Sequence, residues 1–286
     1  MDIALSILFV GTAYGMILYI ISVGLSVTMG LLGVANLAHG VFAMAGGYII
    51  FELLHCGLMP FWASLIATAL LVGAGSFVIE RLLFVRVYKA GELDQVLLSI
   101  GLIFVASAVA YFIYGPIART IAVPEALHGN VQLGWRDFPR YRIFLIALGA
   151  VTFLALWLGV ERTTFGARVR AAVDNRKMAE SIGINTKRLF SVIFVLGSAL
   201  AGIGGAVGAD MIGITPGYPL EQLTYFLIVV SVGGLGTVTG PFFAALLLGI
   251  GDSTCKILAP EFGAFFVYIA IFAILLTFPK GLFSRD

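Results

Sequence analysis

The sequence predicts an all-α polytopic membrane protein, a bundle of eight to ten transmembrane helices with broken or re-entrant segments. Three observations carry that prediction. Of 286 residues, 60% are hydrophobic and only 11% charged, with mean hydropathy +1.07, whereas soluble domains run at roughly 45–50% apolar and about 25% charged. The apolar residues gather into eight long runs. Thirty-five glycines accompany them, and small residues let membrane helices approach closely. So little charge cannot cover a surface that faces water on all sides, which argues against a water-soluble enzyme, a disordered chain and a nucleic-acid binder.

A span needs about 20 apolar residues, because ~30 Å of hydrocarbon is crossed at ~1.5 Å per residue. The runs are Ile3–Met29, Gly33–Leu54, Phe61–Ile79, Val96–Gly115, Ile143–Val160, Ser191–Ile212, Gln222–Gly249 and Gly263–Phe278. Lipid satisfies no backbone polar group, so each run is expected to be helical. They are too long and too evenly apolar for the alternating ~10-residue strands of a barrel. The first run has Asp2 and no Lys or Arg before it. It lacks a secretory signal's cationic start and is read as a retained span.

Within these runs, Gly197–Gly208 carries small residues at 197, 201, 204, 205 and 208, a spacing read as helix packing and not as a ligand loop. Two segments look interrupted: Gly30–Gly47, which sets Asn36 and His39 among glycines, and Gly233–Gly249, with Pro241 directly after Gly240. At an offset of 200 residues Gly33 meets Gly233, Gly40 meets Gly240 and Phe42 meets Phe242. Paired interrupted segments point to an internal repeat and a midplane pathway. The long Gln222–Gly249 run, broken at its glycines, can hide a re-entrant or extra crossing element.

Positive charge sets orientation. The segment 80–95 holds Arg81, Arg86 and Lys89, while 161–190 holds Arg162, Arg168, Arg170, Arg176, Lys177, Lys187 and Arg188. With five spans preceding the second, both lie on one side and give ten positive charges. The opposite segment, 116–142, has four: Arg119, Arg136, Arg140 and Arg142. The segment 161–190 is therefore expected in the cytoplasm and the N-terminus outside. Lys280 and Arg285 favour a cytoplasmic C-terminus, which eight simple crossings would not give.

Chemistry-bearing constellations are few. Cys56 and Cys255 form neither a disulfide framework nor a metal spacing, and no Walker-type phosphate loop occurs. Net charge is +2, which implies no nucleic-acid partner. Glu52, Asp210, Glu221 and Asp252 sit near run ends and are read as interfacial. His55 and His128 are read as loop residues, and no nucleophile triad or acid–base pair is visible. Asn36 and His39 can hydrogen-bond a polar solute or its water inside a bundle; alternatively His39 makes a helix-to-helix bond. Thr237 and Thr239, between glycines, can expose backbone donors at a broken helix. The candidate pathway is Asn36, His39, Gly40, Gly233, Gly234, Gly236 and Thr237. Tyr225, Phe226 and Phe242 are read as core or lipid-facing aromatics.

The segment 161–190 is the most informative. Thr163 or Thr164 can cap a helix. Val169, Ala172 and Val173 recur at helical spacing, with Arg168, Arg170, Asp174 and Arg176 on polar faces. A second short helix is expected over Arg176–Ile182, stopped by Gly183, a residue suited to a left-handed helix end. Such a helix can sit in a groove on a soluble partner, or the segment can be a solvated basic loop that only fixes topology.

Three stretches resemble a known family: GVANLAHG (Gly33–Gly40); TTFGARVRAAVDNRKMAESIGIN (Thr163–Asn185) followed by ALAGIGG (Ala199–Gly205); and VSVGGLGTVTGP (Val230–Pro241). The terminal Pro279–Phe283 matches as well. In order and spacing the chain is similar to the permease subunits of branched-chain amino-acid ABC importers (LivH type), within a wider family that includes ribose-type permeases. The resemblance implies one transmembrane permease domain over 1–286 that is not an enzyme, in a bacterial inner membrane. It implies that 161–190 is a coupling loop: Asp174, Ala179 and Gly183 take coupling-helix positions, with Arg170 and Arg176 as charged contacts. Ala179-Glu-Ser-Ile-Gly183 matches the stretch leading to the family's glycine, although its acidic-Ala-Ala pattern is not intact.

The implied partners are two cytoplasmic ATP-binding subunits, a second homologous permease subunit, an extracytoplasmic substrate-binding protein and membrane lipid, with no nucleic acid. No cofactor is expected on this chain, since ATP and Mg would sit on partner subunits. Leucine, isoleucine and valine are the leading substrates; urea, short amides or other amino acids are the alternative. A stand-alone secondary transporter, a channel and an integral-membrane enzyme are the rival classes.

Overall fold

The computed structural model describes residues 2–32, 36–88, 90–133, 136–263 and, in part, 265–276. Its helices are α1 (Asp2–Leu32), α2 (His39–His55), α3 (Phe61–Ile79), α4 (Val85–Val87), α5 (Glu92–Tyr114), α6 (Arg140–Glu161), α7 (Thr164–Asp174), α8 (Arg176–Ser181), α9 (Thr186–Gly208), α10 (Tyr218–Glu221), α11 (Leu223–Gly233) and α12 (Thr239–Leu258). A π-helical turn, Glu80–Phe84, joins α3 to α4 without a break. Between α5 and α6 an antiparallel hairpin pairs β1 (Asn130–Leu133) with β2 (Arg136–Pro139), Val131 facing Phe138. The fold is all-α and polytopic.

Among the described residues, six helices are long and apolar enough to cross a membrane: Ile3–Gly30, Phe61–Val87, Glu92–Tyr114, Arg140–Val160, Thr186–Gly208 and Thr239–Leu258. Two predicted runs yield shorter helices. The run Gly33–Leu54 gives the 17-residue α2. Gln222–Gly249 breaks at Gly234 and Gly236, where φ is +88° and +76°; L-residues other than glycine avoid that region. The expected interruption there is real. α2 opens at His39 and α12 at Thr239, matching the 200-residue offset. The last run, from Gly263, is described only in part, and Lys280 and Arg285 lie outside the described residues.

Backbone-to-backbone packing builds the centre. α1 and α12 run antiparallel: a Cβ on Gly11 would lie 2.6 Å from Ile250 Cα, and one on Gly15 would lie 2.7 Å from Ala245 O. α1 and α9 also run antiparallel, with Gly24 against Gly197 and Ile17 against Gly208. All five small positions within Gly197–Gly208 are buried. A Cβ on Gly205 would overlap the carbonyl of Ala43 in α2. The expected packing role of this stretch therefore holds, and its physical basis is that only a bare Cα fits between helices this close.

Aromatic side chains fill the remaining space. Phe194 lies between Phe42 (5.7 Å) and Phe84 (5.2 Å), and Phe242 between Tyr19 (5.3 Å) and Phe153 (4.3 Å). Phe226 is fully buried. On the periphery, α5 turns Phe104, Val105 and Phe112 outward, as a lipid-facing helix should.

The expected sharing of one end by 80–95 and 161–190 agrees with the contacts. Val27, near the end of α1, packs on the residues of α7–α9, so the 161–190 segment lies at the opposite end of α1 from the N-terminus. Ser191 donates to Glu80 at 3.1 Å, which brings 80–95 to that same end.

Two carboxylates depart from the sequence reading. Asp252, expected at an interface, is 2% exposed inside α12; Lys256, one turn on, pairs with it at 2.7 Å and makes the burial tolerable. Glu80, expected in a loop, is 1% exposed because the helix continues through the π turn. It accepts from Tyr88 (3.0 Å) and Ser191, with Arg81 at 3.7 Å. Burial first, then the Glu80 charge, raises the Tyr88 phenol well above its ordinary value, so it stays a donor. Glu52, Asp210 and Glu221 do lie near element ends and are not buried.

Candidate functional site: a helical elbow and a broken-helix junction

Two structures meet on α1. The first is the elbow formed by α7 and α8. Thr163 caps α7: its hydroxyl accepts from Gly166 N at 3.3 Å and donates to the Gly159 carbonyl. Asn175 caps α8, accepting from Met178 N at 3.0 Å. Gly183 ends it with φ +88°, while Gly183 N donates to Glu180 O (3.1 Å) and Ile184 N to Ala179 O (3.0 Å). The two helices and the glycine stop thus form as the residues predicted, with α8 ending one residue sooner. Thr163→Ala is expected to cost about 1 kcal/mol of local stability, read as faster amide exchange at Gly166.

Under the elbow sits a small core of its own: Val169, Ala172, Ala179, Leu189, Phe190 and Ile193, with Phe165, Ile184 and Val27 against its edge. Ala179 therefore faces inward, not a partner. Arg170 donates to Val160 O at 2.6 Å and ties α7 to the end of α6. Asp174 closes α7 and Arg176 opens α8 by backbone, but their side chains lie outside what is described. Among the exposed residues of α8, where Lys177, Glu180 and Ser181 are polar, Met178 is apolar and 66% exposed, and Ile182 just past its end is 71% exposed. Beside Ile182 a groove of about 450 Å³ is bordered by Arg168, Asn185 and Arg188.

The second structure is the break between α11 and α12. Gly236 N donates to Ser26 O at 3.0 Å. The Ser26 hydroxyl returns to Thr237 O at 3.1 Å and Gly234 O at 3.3 Å. Thr237 donates to Gly234 O at 3.0 Å and Gly233 O at 3.2 Å. Gly30 meets the backbone of Gly236 so closely that a Cβ there would overlap it. One serine of α1 thereby satisfies carbonyls that the interruption leaves without helical partners.

Of the remaining pathway candidates, His39 reaches α1. His39 is fully buried and bonds Ile21 O through Nε2 at 3.0 Å, the helix-to-helix bond weighed as its alternative. Its Nδ1 has no partner among the described residues, and neither does either amide atom of the buried Asn36. Gly40 abuts Pro219, where a Cβ would lie 3.0 Å from Cα. The residues Gly33–Ala35, just ahead of Asn36, lie outside the described ones. Sequence reasoning missed Ser26 and Gly30. Ser26 is one of several hydroxyls in the first run, and nothing in the pattern separates it from Ser22.

Comparison with known proteins gives these contacts their setting. Residues 7–275 match the family described as "Branched-chain amino acid transport system / permease component". The chain belongs to that family. It is 26% identical to the high-affinity branched-chain amino acid transport system permease protein LivH of Escherichia coli K12, over 97% of this chain and 94% of the relative. It is 27% identical to BraD of Pseudomonas aeruginosa, a permease protein described in the same words, over 96% and 93%. The permease also resembles LivM of Escherichia coli K12, at 26% identity over 82% of this chain and 60% of the relative. No solved structure matches the permease. With six span-capable helices among its described residues, it is a multi-pass protein of the inner membrane.

Proposed function

We propose that this permease is the membrane subunit of an ATP-binding-cassette importer for branched-chain amino acids, driven by two cytoplasmic ATPase subunits. The names of its LivH and BraD relatives support the substrate class. Similarity to both LivH and LivM supports pairing with a second, related permease. A substrate-binding protein would deliver from the outer face, where 116–142 carries the β1–β2 hairpin. ATP and Mg belong to the ATPases, and this chain supplies the path and the lever.

The observation that carries the reading is the adjacency of Ser26 and Val27. Val27 touches the core under the elbow, and Ser26 holds the break between α11 and α12. A displacement of α8 by a closing ATPase pair would reach the broken helices through consecutive residues of α1. Alternating access then needs only one rearrangement of the Ser26 bonds. Asn36, His39, Gly40, Gly233, Gly234, Gly236 and Thr237 line the proposed route, while Arg170, Asp174, Arg176, Ala179 and Gly183 shape the coupling element.

The exposed apolar pair of Met178 in α8 and Ile182 at its end provides the test. Cysteine cross-linkers at Met178 and Ile182 are expected to capture an ATP-hydrolysing subunit in the assembled complex. Met178→Glu with Ile182→Glu is expected to cut ATPase co-purification by roughly tenfold, the equivalent of ~1.4 kcal/mol. Unchanged co-purification, or leucine uptake by this chain alone without ATPases, would falsify the coupling reading.

A further inference from the structure

At the N-terminal end of α1 a second polar cavity, about 350 Å³, opens between α1, α11 and α12. The junction and the elbow do not use it. Its floor holds Asp252, whose Oδ2 takes Lys256 at 2.7 Å while its buried Oδ1 has no partner among the described residues. Gln222 borders the same cavity, and its buried Oε1 also has no partner among the described residues. Buried acceptors are normally satisfied, so two in one cavity call for a donor from outside the chain. Lys256 is half exposed, its ammonium 5.7 Å from the ring of Tyr14. One helix therefore offers, a single turn apart, an acceptor lacking a donor and a cation with hydrogens to give. Val10, Met211 and Ile212 supply an apolar wall alongside.

We infer that this cavity binds an α-amino acid as its zwitterion, with an aliphatic side chain. The ammonium donates to Asp252 Oδ1 and Gln222 Oε1, the carboxylate pairs with Lys256, and the side chain lies on Val10, Met211 and Ile212. The zwitterion chemistry rests on the cavity; the choice of an aliphatic amino acid rests also on the importer reading above. A site at this end would receive substrate where a binding protein releases it.

The test uses the assembled permease–ATPase complex without binding protein, titrated calorimetrically with leucine, glycine, 4-methylpentanoate (no ammonium) and 3-methylbutylamine (no carboxylate). Leucine is expected to bind, and each truncated analogue at least about tenfold more weakly, because each forfeits the contacts of one end of the zwitterion. Asp252→Asn is expected to lower leucine affinity by about tenfold or more. Met211→Trp should lose leucine and keep glycine, a size effect that a purely structural role would not produce. If Asp252→Asn fails to assemble, Lys256→Gln and Met211→Trp carry the measurement.

Equal leucine binding by the wild type and these variants, or none by the folded wild type at millimolar concentration, overturns the site. Binding-protein-dependent uptake separates the two readings. Uptake intact in Asp252→Asn refutes the site and leaves the importer standing. Zwitterion binding without ATP-driven uptake refutes the importer and keeps the site.

Discussion

Gly183→Val is expected to abolish ATP-driven uptake while leaving the bundle folded. A Cβ at this position would meet nothing within 4 Å, so the effect arises in the backbone alone. At φ +88° a β-branched residue is strained by about 1–3 kcal/mol. The cheapest relief is to abandon the turn, losing the bonds from Gly183 N and Ile184 N that stop α8. Ile184 then leaves the edge of the elbow's core, and α8 tilts. In proteoliposomes containing the whole complex, transport should fall by at least about tenfold with little loss of assembled protein. Gly183→Asn should be far milder, since Asn enters the left-handed region more readily. Wild-type uptake by the valine variant would remove Gly183 from the coupling element.

The largest effect on folding is expected at Gly30. Its neighbour is the backbone of Gly236, which has no flexible end to swing away. Gly30→Val must push α1 from the α11–α12 break and cannot do so without stretching the Gly236 N to Ser26 O bond. The cost should exceed about 3 kcal/mol, at the upper end for overpacking, and appear as loss of monodisperse, heat-resistant protein. Ser26→Ala provides the control. It deletes only the hydroxyl bonds to Gly234 and Thr237, about 1 kcal/mol. The protein should fold and transport poorly.

Much of this architecture could be read from residue order, and the reasons for success and failure are physical. The elbow is readable because capping and glycine stops are local: Thr163 and Gly183 act on backbone within a few positions of themselves. The break at Gly234 and Gly236 was readable for the same reason. The inward turn of Ala179 and the bond of Arg170 to Val160 O depend on how α7 and α8 fold back on α6 and α9, which spacing does not encode. Asp252 departs from expectation because proximity to a run's end is not proximity to water. Its burial is made possible by Lys256 one turn on, at i,i+4. Glu80 was missed because a π turn leaves no mark in hydropathy. Ser26 needed a partner about 210 positions away in the chain.

The six-residue apolar knot beneath the elbow has a mechanical corollary. Close-packed interiors barely compress, so α7, α8 and the foot of α9 move as one piece. Farther along, α9 presses bare backbone onto both α1 and α2. A small twist imposed at the elbow is thus carried up a stiff shaft, and its force is felt by two neighbouring helices together.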